Sequence, residues 1–165
     1  MNKTTITAIG AIIVLGAVIW FARPDSPDAT DSGTPSVLSG ALAAEESSFD
    51  FGAISMAGGN VARTLTIKNT GESPITITKV YTSCMCTTAT LKIGERTVGP
   101  FGMPGHGLVP RIDEALEPKE EARVEVVFDP AAHGPAGVGR IERLVFIENS
   151  AGKPLELKIS ATVTP

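Results

Sequence analysis

Two cysteines occur in the 165-residue sequence, and both fall in one short stretch, Tyr81-Thr-Ser-Cys84-Met85-Cys86-Thr87. In an extended strand, side chains at i and i+2 share a face, with Cα atoms roughly 6.5–7 Å apart. That exceeds the ~5.5–6 Å usual across a disulfide, so a bridge between Cys84 and Cys86 would need a local kink. Two thiolates on one face are better placed to converge on a soft metal ion. Further along lies Gly99-Pro-Phe-Gly-Met103-Pro-Gly105-His106-Gly107, a run so rich in breakers that it reads as a loop carrying one thioether and one imidazole. Thiolate with thioether favours Cu(I), imidazole suits copper or zinc, and no carboxylate stands among these donors. The expected site is therefore a Cu(I) site of Cys84, Cys86, Met103 and His106, formed if the 99–107 loop folds back over the cysteines. Met85 points away from the cysteine face of a regular strand, and His133 is left out because nothing fixes the distance of its loop.

Each of these residues also has a plainer role. A cysteine in a sandwich often packs as a small hydrophobe, a loop methionine plugs the end of a core, and a histidine among glycines is usually solvated. Unpaired cysteines two apart in an exported domain nevertheless call for an explanation, because an oxidising compartment does not leave exposed thiols alone.

Three segments of unlike composition must position these residues. Thr4 to Ala22 carries no charge, lies between Lys3 and Arg23, and ends in Trp20-Phe21-Ala22. As a helix at ~1.5 Å per residue it would be about 28 Å long, close to the thickness of a bilayer's hydrocarbon core. Residues 1–22 are thus expected to be a transmembrane signal-anchor rather than a cleaved signal peptide. The nearest small-x-small pattern, Ala41-Leu42-Ala43, is far downstream. Residues 23–47 hold three Pro, many Ser, Thr and Ala, and one Arg against five carboxylates, the composition of a disordered acidic tether. Most of the chain's net charge of −4 belongs to this stalk, and residues 48–165 are nearly neutral.

From Phe49 onward the apolar period is two. Leu65 and Ile67 precede the turn Asn69-Thr-Gly71-Glu72; Ile75 and Ile77 lead to Val80 and Tyr81. Ala122, Val124, Val126 and Phe128 share a face, Leu144 to Ile147 is continuously apolar, and Leu155 to Val163 alternates. A weak helical stripe near Glu114–Glu121 is interrupted by Pro118. About seven short strands separated by turns predict an all-β domain, a β-sandwich, over residues 48–165.

No nucleophile elbow, phosphate loop, paired-histidine zinc motif or dinucleotide fingerprint is present, so no enzyme activity is expected. The acidic balance excludes a nucleic-acid partner.

The order of motifs resembles the bacterial domain-of-unknown-function family 1573. The resemblance rests on Phe49-Asp-Phe-Gly52, Leu65-Thr-Ile-Lys-Asn69-Thr-Gly71, Thr82-Ser-Cys84-Met-Cys86-Thr87 and Pro118 ahead of Val124-Glu-Val-Val-Phe-Asp129-Pro130. It extends to Leu144-Val-Phe-Ile and Asn149. It implies an immunoglobulin-like sandwich of the major-sperm-protein and pilus-chaperone type outside the cytoplasmic membrane, with Cys84 and Cys86 at signature positions. Met85 replaces the family's Gly between the cysteines, and the segment 92–116 is longer than the family's linker. Met103 and His106 therefore rest on ligand chemistry alone.

Three functions fit. The first is a domain held to the cytoplasmic membrane through residues 4–22, exposed outside the cytoplasm, that binds Cu(I). The second is a module that binds a protein partner in the cell envelope and packs its cysteines structurally. The third is a thiol-disulfide redox protein, disfavoured because no helix N-terminus lowers the attacking thiol's pKa.

Overall fold

The computed structural model describes residues 41–106 and 109–165. The expected anchor and most of the expected tether lie outside the described residues. Among those described, no helix is long and apolar enough to cross a membrane.

Two five-stranded sheets stack into a sandwich. The strands in chain order are β1 (Leu42–Ala44), β2 (Ser48–Ser55), β3 (Val61–Asn69), β4 (Ile75–Thr82), β5 (Thr87–Ile93), β6 (Arg96–Phe101), β7 (Glu114–Leu116), β8 (Glu121–Phe128), β9 (Gly139–Asn149) and β10 (Leu155–Thr164). One sheet runs β1-β3-β8-β5-β6 and the other β2-β10-β9-β4-β7. The β2–β10 pair is parallel.

All-β architecture follows from the sequence, but ten strands stand where about seven were expected. The additional ones are short or irregular. Glu114–Leu116, inside the weak helical stripe, pairs with β4 instead. Gly99, Pro100 and Phe101, read as loop, finish β6 at the edge of its sheet, where a proline removes no needed donor. Leu42–Ala44, assigned to the tether, is a strand paired with β3, and Leu42 is fully buried. The sandwich therefore begins before Phe49.

The core is aliphatic, as a chain with one Trp and one Tyr requires. Leu65 and Ile67 of β3, Val124 and Val126 of β8 and Leu91 of β5 face Leu155, Leu157 and Ile159 of β10, Ile147 of β9 and Ile77 of β4, all essentially without solvent contact. Burying each such side chain is worth about 1.5–3 kcal/mol.

Asn69 explains the Asn-x-Gly turn. Its buried amide donates to the carbonyls of Ser73 and Leu116 at 2.8 and 3.0 Å and accepts from Gly71 N–H at 2.9 Å. A Cβ on Gly71 would meet the Cβ of Ala41 at 2.8 Å, so the approach of β1 requires glycine there.

One irregularity prepares the site. The register of β4 against β9 shifts between Ile77 and Lys79, so the inward positions change from Ile75 and Ile77 to Val80 and Thr82. A bulge of this kind re-aims every following side chain. Thr82, now fully buried, opens the crossover that carries both cysteines.

Candidate metal centre

Two connections cross between the sheets at the same end of the sandwich. One joins β4 to β5 and carries Cys84 and Cys86; the other joins β8 to β9 and carries His133. They lie side by side because β5 pairs with β8, Thr87 standing opposite Phe128, while β4 pairs with β9, Thr82 standing opposite Val145.

The first connection is not the extended strand its Cys-x-Cys spacing suggested. Thr87 N–H donates to the Cys84 carbonyl at 3.1 Å, closing a β-turn over Cys84-Met85-Cys86-Thr87. The Thr82 hydroxyl donates to the carbonyls of Cys84 and Thr87, each at 2.9 Å, and fixes the turn from below. Ser83 exchanges bonds with Leu144 on β9: its N–H reaches the Leu144 carbonyl and its hydroxyl accepts from Leu144 N–H, both at 2.9 Å. The Cys86 carbonyl accepts from Asp129 N–H at 2.8 Å, tying the turn to the second connection.

That second connection folds around Asp129. Its carboxylate accepts from Ala131 N–H at 2.8 Å, and Gly134 N–H bonds the Ala131 carbonyl at 2.9 Å. His133 then caps a short 3-10 turn, Gly134–Gly137. A Cβ at Gly137 would stand 3.2 Å from the His133 Cβ, so glycine leaves the imidazole its place.

The result is a compact donor set. The sulfurs of Cys84 and Cys86 and a ring nitrogen of His133 all lie within 4.8 Å of one another. His133 Nε2 is 3.2 Å from Cys84 Sγ, and Cys86 N–H points at the same sulfur from 3.5 Å. Both cysteines are free thiols; Cys84 is half-buried and Cys86 only 3% exposed. Tetrahedral bonds of ~2.3 Å to sulfur and ~2.0 Å to nitrogen place donors roughly 3.5 Å apart, so a small adjustment would seat an ion among these three.

Arg143 completes the surroundings. It projects from β9 with Nε 3.2 Å from Cys86 Sγ and Nη1 2.8 Å from the Glu142 carbonyl. Burial alone would push the Cys84 thiol up. The Cys86 thiol, the Cys86 N–H, His133 and the charge of Arg143 together outweigh it, holding Cys84 at about 7. Burial also pushes Cys86 up, and the neighbouring Cys84 sulfur adds to this while Arg143 and Thr87 oppose it. The pair thus presents one acidic, accessible sulfur and one reluctant, enclosed sulfur. An open depression of about 390 Å³ beside them is lined by His133, Val138, Arg140 and Arg143, among others, and gives solutes access.

The two cysteines are brought together as expected, but the imidazole beside them is His133, not His106. His106 is exposed in a turn that its N–H closes onto the Met103 carbonyl at 3.3 Å, and it is not part of the donor trio. Met103 is half-buried in that turn. The preceding Gly102 carbonyl accepts from Thr82 N–H at 3.1 Å, which brings this segment to the end of β4. Met85 points outward, 51% exposed. His133 and Arg143 were missed because their relevance depends on the β5–β8 and β4–β9 pairings. No strand intervenes between β5 and β8, so the loop after Phe128 passes directly over Cys86.

Residues 42–100 match the model of DUF1573, a family of proteins of unknown function. The match starts at the first residue of β1, contains both cysteines and supports the resemblance read from the sequence. No curated protein matches the chain. In fold, the sandwich is similar to a protein of unknown function from Porphyromonas gingivalis W83, at 18% identity and a TM-score of 0.55 over 74% of this chain. The chain spans 46% of that protein's length. The ASH/PapD-like domain 7 of human CEP192 aligns at 13% identity and TM-score 0.46, covering 87% of this chain and 94% of that one. The CupB2 chaperone of Pseudomonas aeruginosa aligns at 16% identity and TM-score 0.38, covering 73% and 54%.

Proposed function

We propose that this protein is a non-catalytic, immunoglobulin-like binding domain. It is tethered to the outer side of the cytoplasmic membrane through residues 4–22 and holds a Cu(I) ion at Cys84, Cys86 and His133. The observation that carries the reading is the meeting of two free thiols and one imidazole within 4.8 Å at a solvent-accessible end of the sandwich. Two thiolates and an imidazole are a soft to borderline set with no carboxylate or carbonyl competing for a hard ion. The uncharged run 4–22 and the family resemblance support the location. For Met103, support remains the chemistry of its thioether together with the bond from Thr82 to Gly102.

The test is anaerobic titration of the reduced full chain with Cu(I) against a chromophoric chelator. Wild type is expected to take one equivalent, and the Cys84→Ala, Cys86→Ala double variant none at the same chelator concentration. Equal retention by both chains would remove the metal reading.

One observation favours a second reading, a module that docks an envelope protein at this same end. Among the described residues, Met85 and Val138 are the exposed large hydrophobic side chains, and they lie on the two neighbouring connections. A photo-crosslinker replacing Met85 should then capture a discrete partner in the envelope, whereas one replacing Thr66 on β3 should not.

A further inference from the structure

Arg143 has no carboxylate partner among the described ion pairs, although its side chain is half-buried and its Nε lies 3.2 Å from the Cys86 sulfur. The other charged groups lining the same depression are paired: Arg140 with Asp50 at 2.8 Å, and Glu142 with Lys158 at 3.5 Å. The Arg143 guanidinium therefore faces the Cys86 sulfur directly, and once an ion has displaced the thiol proton the Cys86 thiolate is the negative charge beside it.

Charge counting then discriminates between ions. Two thiolates contribute −2, Arg143 +1 and a neutral imidazole nothing, so the site carries −1. A monovalent ion brings it to neutrality; a divalent ion leaves an excess positive charge beside the guanidinium. Resting on the metal reading above, we infer that Arg143 is the specificity-determining residue of this centre, favouring Cu(I) over Zn(II) by charge without ligating either.

The Cu(I)/Zn(II) affinity ratio isolates this effect. Binding either ion releases the thiol protons, so a change in thiol acidity alters both affinities alike and cancels in the ratio. Repulsion from the guanidinium does not cancel, because it acts on two charges for Zn(II) and on one for Cu(I). With metal–sulfur bonds of ~2.3 Å, the charge would lie within roughly 6 Å of the ion. At an effective dielectric of ~20 a unit charge at that distance alters an equilibrium on the order of a hundredfold, and solvent at the half-buried side chain reduces this to about tenfold.

The experiment measures Cu(I) and Zn(II) affinities of the reduced full chain by chelator competition for wild type, Arg143→Leu and Arg143→Lys. The ratio should fall about tenfold in Arg143→Leu, which loses the charge and adds no donor, and stay near wild type in Arg143→Lys, which keeps the charge. If Arg143→Leu does not fold, Arg143→Gln, which keeps a hydrogen-bond donor and loses the charge, carries the same expectation. A ratio within twofold of wild type in the uncharged variant, or an equal fall in Arg143→Lys, overturns the inference while leaving the copper site standing. Absence of binding to wild type overturns the site itself.

Discussion

The two histidines of the chain provide a sharp comparison. His133→Ala removes one of three donors from the centre, and the cost in folding should be small. The side chain is exposed, and its described hydrogen bond is the one to Cys84 Sγ at 3.2 Å. Surface substitutions of this kind usually change stability by no more than about 0.5 kcal/mol. The cost in metal affinity should be much larger. Loss of partners one shell outside a metal weakens binding ~10–100-fold, and a direct donor stands at or above the upper figure. An affinity loss of about a hundredfold corresponds to ~2.7 kcal/mol. His106→Ala, the substitution that the sequence pattern singles out, should leave Cu(I) affinity within threefold of wild type, because His106 is not in the trio. Anaerobic chelator competition at constant pH gives both numbers, and thermal unfolding of the metal-free chains controls for folding. If His106→Ala loses affinity and His133→Ala keeps it, the geometry described here is not the geometry of binding.

Other consequences are directly measurable. With Cys84 held at about 7 and Cys86 pushed up, the displaced thiol protons should contribute ~2 per pH unit to the rise of the logarithm of Cu(I) affinity below neutrality and ~1 just above it, since two are displaced in the first range and one in the second. In the reduced, metal-free chain, iodoacetamide should label Cys84 with a pH midpoint near 7 and label the enclosed Cys86 far more slowly, a difference that peptide mass spectrometry reads directly. Leu42→Ala should destabilise the domain by about 2–4 kcal/mol in urea, because Leu42 is fully buried; a residue in a tether would give no change. Asn69→Ala should cost about 1–3 kcal/mol, leaving the carbonyls of Ser73 and Leu116 and the N–H of Gly71 short of a partner.

Regular alternation made the central strands legible. The Leu65/Ile67, Ala122–Phe128 and Leu155–Val163 patterns all become strands with the expected buried faces. Short edge strands were hidden, since three residues such as Leu42–Ala44 or Glu114–Leu116 hold too little pattern to separate them from tether or helix. The cysteines declared themselves by type and spacing, but their conformation did not. A four-residue turn brings two side chains together as well as a pleat does, and it is chosen here by the buried Thr82 hydroxyl, which the bulge in β4 turned inward. His133 and Arg143 lie 47 and 57 residues beyond Cys86, and only strand pairing shortens those separations.

The placement of the trio on two adjacent arches between the sheets has a mechanical consequence. Without metal, the arches are joined by the bond from Asp129 to Cys86 and a sulfur–imidazole contact. A bound ion would rivet the loop from one sheet pair to its neighbour, closing the mouth of the sandwich with bonds far stiffer than those it replaces. Occupancy would then be felt as the resistance of that mouth to prying open, and the melting temperature would climb with free ion in proportion to the logarithm of its concentration.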